Sequence, residues 1–181
     1  YGLSKWKGEL CSTCDLFTSK QYAFLPVGRI VTSGGMEAVH TYYERLGASF
    51  VGALNDMLVL DALLFNTDRH FGNFGFLVEN ETNRIIAPAP LFDHGNSLFN
   101  FAGGDDLQSD EMLTRYANTL FPCVYDDFVF AAKDVLTPEH KKGLRCLLEF
   151  KFKKHSRYNL PEHRLRLIEH QIQRRAQQLL E

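Results

Sequence analysis

The chain has 181 residues, 45% of them apolar and 23% charged, with 15 Phe and 7 Tyr; this excludes a disordered or low-complexity chain and allows one domain with a sizeable core. Four Cys are too few and too scattered for a disulfide scaffold, and no apolar run approaches the ~18 residues of a membrane span. With no basic and apolar leader at Tyr1, the expectation is a soluble, cytoplasmic chain that does not enter a membrane.

Residues 1–35 mix short β-like runs, "QYAFLPVGRIV" among them, with turn residues, and end at Ser33-Gly34-Gly35. Cys11 and Cys14 have the spacing of half a zinc site or a redox pair. No second CxxC or thioredoxin-like setting accompanies them, so they read as two ordinary thiols in a turn or hairpin. From Met36, the residues Val39, Tyr42, Tyr43 and Leu46 share one helical face, and Gly47 stops the helix. Between Phe50 and Phe65 almost every position is apolar except Asn55, Asp56 and Asp61. That composition predicts a central helix wrapped by protein on most sides. An unpaired buried carboxylate is costly, so Asp61 is expected to bond to the backbone of the loop that follows.

After that loop, "FGFLVE" and "RIIAPAPLF" flank Asn80-Glu81-Thr82-Asn83 and predict a β-hairpin, its second arm made irregular by Pro88 and Pro90. Helices are then expected from Pro122 to about Leu136, Pro138 to about Phe150, and Pro161 to about Leu180, the last with Leu165, Ile168, Ile172 and Leu179 on one face. The fold class is α+β, with a mixed β/turn segment over 1–35 and a mostly helical body over 36–181. Charge is polarised along it. Residues 1–132 hold 8 Lys+Arg against 16 Asp+Glu, and residues 133–181 hold 12 against 6. No aromatic interleaves the basic residues of the last helix, so direct nucleic-acid contact is not expected.

The chemistry concentrates in "NTDRHFGNFGF", between the central helix and the hairpin. Asp68 and Asn73 are five apart in this loop, and Asp93 ends the hairpin that folds back beside it. Phosphoryl transfer needs a carboxylate near the attacking hydroxyl and hard oxygen ligands for Mg2+ on the nucleotide phosphates. Asp68 suits the first task, and Asn73 and Asp93 suit the second. A catalytic-loop Asp, an Asn five residues on, and a separate Asp-x-Gly form the protein-kinase pattern; here they are Asp68, Asn73 and Asp93-His94-Gly95.

At these residues the chain resembles the HipA-like serine/threonine kinases, through "NTDRHFGNFGF" and "APAPLFDHGNSL", from about Met36 to Leu98 and more loosely to the end. The resemblance implies the carboxy-terminal lobe of a protein-kinase-like fold, with the hairpin carrying the metal site. It implies ATP and Mg2+ as cofactors, Asp68 as catalytic base, Asn73 and Asp93 as nucleotide-metal ligands, and a protein serine as substrate. An antitoxin-like partner, as in toxin–antitoxin pairs, also follows from it. The segment "DRHxxN" is similar to phosphoinositide and related lipid kinases as well, where the His after Asp-Arg has been proposed to handle protons, so His70 is a second candidate for the base.

Two features depart from the ordinary pattern. Arg69 follows Asp68 instead of preceding it, as in atypical branches. The amino-terminal lobe that covers ATP is not recognisable: Lys5, Lys7 and Lys20 lack a strand-then-helix setting, and Gly34-Gly35 is a poor phosphate-cradling loop. The expectation is a carboxy-terminal lobe, inactive alone, whose partner lobe has been removed, encoded separately or lost. A lipid or small-molecule kinase and a pseudokinase-like binding module are the alternatives. Against a multiply phosphorylated headgroup stand Asp105, Asp106, Asp110 and Glu111, which outnumber Arg115 in the segment expected to meet the substrate.

Overall fold

The computed structural model describes residues 2–181. Strands β1 (Gly2–Trp6) and β2 (Glu9–Thr13) make an antiparallel hairpin closed by Lys7-Gly8, both at positive φ, 49° and 90°. A two-residue turn of that kind matches the right-handed twist of its strands. The hairpin is exposed apart from half-buried Cys11, and Cys11 and Cys14 are free thiols in and just after β2.

A second sheet has the order β3-β4-β5, from Tyr22–Pro26, Gly75–Glu79 and Ile85–Pro88, antiparallel throughout. The hairpin expected around Asn80–Asn83 is therefore present, with an irregularity at Leu77/Val78, and β3 completes it on the far edge. The β-like run was expected to continue through "VGRIV". Instead, Val27–Arg29 turn into a 3-10 helix, because the Val27 and Gly28 amides leave the ladder and donate to the carbonyls of Phe74 and Phe71. Gly75 is required where these chains cross. A Cβ there would strike the Leu25 carbonyl oxygen and stand 2.8 Å from the Val27 nitrogen.

Helix α1 (Gly35–Leu46) is followed at once by α2 (Ala48–Leu64), and Gly47 between them adopts φ 115°. The α2 helix is the centre expected from its composition. On one side Phe50, Leu54, Met57 and Leu58 pack with Val39 and Tyr43 of α1 and Phe76 of β4. On another, Val59 and Ala62 meet residues of α4 (Phe128–Asp134) and α6 (Glu162–Leu180). Burial on both sides explains why its polar positions are so few.

The helical tail differs from the sequence reading in three places. Helix α3 (Asp110–Ala117) was not anticipated; Ser109 caps it by accepting from the Met112 amide, with Asp110 and Glu111 in its first turn. Helix α4 is much shorter than 122–136, since the Asp127 carboxylate accepts from the Phe130 amide and fixes the start there. Helix α5 (Pro138–Cys146) has a Thr137–His140 capping box and stops short of Phe150. No helix among the described residues is long and apolar enough to cross a membrane.

Gly75→Ala is expected to destabilise the chain by about 2–4 kcal/mol in urea unfolding, since backbone on both sides must shift. Gly143→Ala, in α5 with open space around the added methyl, should instead stabilise by about 0.5–1 kcal/mol.

Candidate functional site

Helix α2 ends at Phe65, which takes the left-handed conformation (φ 54°, ψ 46°) and turns the chain into the polar loop. Asp61, one turn earlier, is wholly buried and faces back into that loop. Its carboxylate receives the Arg69 guanidinium in a fork, Nε to Oδ2 at 2.8 Å and Nη2 to Oδ1 at 3.0 Å, and Asn66 Nδ2 adds a third bond of 2.8 Å. The expected partner of Asp61 was loop backbone. It is instead two side chains, because an amide offers no charge to offset a buried carboxylate and a guanidinium does.

The same arginine does more. Its remaining nitrogen, Nη1, donates to the Asn73 carbonyl at 2.9 Å and to the Phe92 carbonyl at 2.8 Å. One buried side chain thus ties α2, the loop after it, and the residue immediately before Asp93.

On this frame Asp68 and Asn73 are joined directly, Asn73 Nδ2 donating to the Asp68 carbonyl at 3.1 Å. Among the described residues the Asn73 Oδ1 accepts nothing. The Asp68 carboxylate is held through one oxygen only, Oδ2, by Asn96 Nδ2 at 2.8 Å, while the Asn96 carbonyl accepts from the Thr67 amide. Asn96 was not singled out in the sequence, where it appears only as the amide after Asp-His-Gly. Asp93 is exposed, left-handed at φ 58°, and its carboxylate makes no hydrogen bond or ion pair among the described residues. The residue before it, Phe92, shares the Arg69 Nη1 with Asn73, carbonyl to carbonyl.

His70 joins this network through its backbone alone, its amide donating to the Asp68 carbonyl and its carbonyl accepting from the Asn73 amide, each at 2.9 Å. Its ring lies on the exposed side, and Nδ1 accepts from the Gly72 amide at 3.0 Å. His94, beside Asp93, has a buried Nε2 with no partner. Burial first, then the nearby Arg69 charge, hold its pKa below the usual histidine value, against the opposing pull of Asp61 and Asp93. Asp93, His94 and Gly95 line a cavity of about 620 Å3 with Leu60 and Leu64 of α2 and Ser12 of the first hairpin.

No known family and no curated protein matches this sequence. Among solved structures, a proinflammatory kinase of Helicobacter pylori, CtkA, is similar over 98% of this chain and 76% of that one, with a TM-score of 0.66 at 19% identity. The chain has a kinase-like fold. A kinase-like fold accounts for why a buried helix, a polar loop and a hairpin are joined in this order, but a fold alone does not name a reaction.

In this kinase-like frame the Asp61–Arg69 pair admits a sharp stability test. Asp61→Ala is expected to cost about 3–5 kcal/mol in chemical denaturation, as it strands a buried cation. Replacing both, Asp61→Leu with Arg69→Met, should recover little of that. The Asn73 and Phe92 carbonyls would still lose their donor, at about 1–3 kcal/mol for each buried group left unsatisfied.

Proposed function

We propose that the chain is the carboxy-terminal lobe of a HipA-like protein kinase, which transfers the terminal phosphoryl group of ATP to a serine or threonine hydroxyl with Mg2+. The observation that carries this reading is the way Asn73 and Asp93 present oxygen. The Asn73 amide nitrogen is spent on Asp68, so its oxygen faces away as a free donor, and Asp93 offers an unpaired carboxylate on a loop pinned through Phe92. An amide oxygen with a carboxylate, both hard and neither engaged, is a donor set that fits Mg2+ and leaves positions for phosphates and water. When bound, the ion would neutralise charge on the phosphates during transfer.

Within this reading the protein's own residues hold and move one proton. Asp68 takes it from the attacking hydroxyl. The bond from Asn96 occupies Oδ2 and fixes the plane of the carboxylate, so Oδ1 is the oxygen that accepts. This geometry favours Asp68 over His70, whose ring is turned to Gly72. Activity is expected to need an amino-terminal lobe that covers the nucleotide, on the same chain or on a partner, as the sequence here offers no strand lysine or phosphate-cradling loop.

Phosphate transfer from labelled ATP, assayed with that lobe present, tests the assignment. Asp68→Ala should lower kcat by about a hundredfold or more, His70→Ala by no more than a fewfold, and Asn96→Ala by an intermediate amount with KM for ATP little changed. Full transfer by the Asp68→Ala protein would overturn the reading.

A further inference from the structure

A second cavity, of about 490 Å3, also reaches Gly95; its polar lining includes Ser97, Lys153, His155 and Tyr158 in the connection between α5 and α6, and Arg164 of α6, set among apolar side chains such as Phe152 and Ile168. No Asp or Glu lines it, although the chain carries 22 of them. The neighbouring lysines are already matched, Lys151 with Glu169 and Lys154 with Glu162. Lys153, between them, has no acidic partner among the described residues. The His155 Nδ1 accepts from the Arg157 and Tyr158 amides, each at 3.1 Å, which puts its ring proton on Nε2 as a free donor. The ring is further fixed by stacking on Tyr158 at 5.3 Å.

Two buried groups beside the cavity are also unsatisfied. Ser97 is only 8% exposed and its hydroxyl has no partner. Arg164 spends Nη2 on the Phe99 carbonyl at 3.2 Å, but its Nε has none. A buried donor without an acceptor is costly, and a cavity whose free polar groups are all capable of donating is complementary to an anion.

The sequence pointed the other way, toward a basic substrate, because four acidic residues follow Asp93. In the folded chain those charges are engaged elsewhere. Asp110 faces α6, where it meets Arg174, His170 and Gln171, and Glu111 is paired with Arg115. Asp106 accepts from the Gly103 amide and Asp105 from Gln108.

We infer that this cavity receives an anionic side chain of the protein substrate, an aspartate, glutamate or phosphorylated residue a few positions from the accepting hydroxyl. The inference rests on the proposed kinase reading. Gly95 and Ser97 flank Asn96, which holds Asp68, so a peptide with its hydroxyl at Asp68 has its neighbouring residues within reach of the cavity. A peptide fits better than a membrane lipid. The cavity adjoins Asn96 and through it Asp68, where the proposed reading seats the hydroxyl of a peptide.

Fluorescence anisotropy with this chain and three labelled serine peptides tests it, one with glutamates after the serine, one with glutamines and one with lysines. The glutamate peptide should bind about tenfold more tightly than the glutamine peptide, an advantage lost in the Lys153→Gln/His155→Gln double variant and at high salt. Equal affinity for the glutamate and glutamine peptides, or a preference that survives the double variant, overturns the inference. So does tighter binding to phosphoinositide vesicles than to the glutamate peptide when that binding is abolished by the same variant. Acid preference with no phosphate transfer when the amino-terminal lobe is present would sink the kinase reading; transfer under the same conditions without acid preference would sink this inference alone.

Discussion

Burying one carboxylate at Asp61 organises the whole site. In the interior of α2 an ionised side chain can persist only if an opposite charge comes to it, and the chain supplies Arg69 from the next loop. A guanidinium has more donors than one carboxylate can use, and the surplus goes to two carbonyls that belong to different segments, Asn73 and Phe92. Placing a lysine here would satisfy the charge but not the span. The polar loop is thus set into the core because its arginine must be there.

From that anchor the functional groups acquire their positions at little further cost. Asn73 is buried with its nitrogen committed to Asp68, Asp68 is steadied by Asn96, and Asp93 leaves the frame one residue after a pinned carbonyl. Asp61, Arg69 and Asn73 are buried, Asp68 is half-buried and Asp93 is exposed. Under the proposed reading this buried support matters because phosphoryl transfer depends on positioning more than on covalent help from the protein. A second buried cation extends the scheme to the tail. Burial lowers the Arg175 pKa to about 10, and its guanidinium lies 3.9 Å from the Phe65 ring and donates to the Ala62 carbonyl, which docks α6 onto the end of α2.

Much of this was readable before any coordinates. The apolar run of α2, the turn residues between β4 and β5, and the face of α6 are strong periodic signals, and each lies where it was expected. What was missed has a common cause. Helix α3 starts in a run of acids and serines that looks like loop, and only capping makes it a helix; α4 is set by Asp127 and not by Pro122. Caps act over three residues and carry no periodicity, so they move boundaries unseen. Of the candidate site residues, Asp68 and Asn73 were picked by type and spacing, and the fold joins them by a hydrogen bond. Asn96 and the partner of Asp61 could not be picked so, because nothing in a string distinguishes an amide that braces a carboxylate from one that closes a turn.

The same limit governs charge. Counting acids after Asp93 gave a field that would attract a basic substrate, yet a formal charge acts at a distance only while it is unpaired and unscreened. Asp110 lies against the basic side of α6, and that contact both neutralises it and draws α3 onto the tail. Bases of the carboxy-terminal part are matched in the same way at Arg174, Lys151, Lys154 and Arg166, whereas beside the cavity Lys153 has no acidic partner among the described residues and the Arg164 Nε has no acceptor. Of the four acids after Asp93, Asp110 and Glu111 are paired with bases, and the charged or titratable side chains lining the cavity are Lys153, His155, Tyr158 and Arg164, with no carboxylate among them.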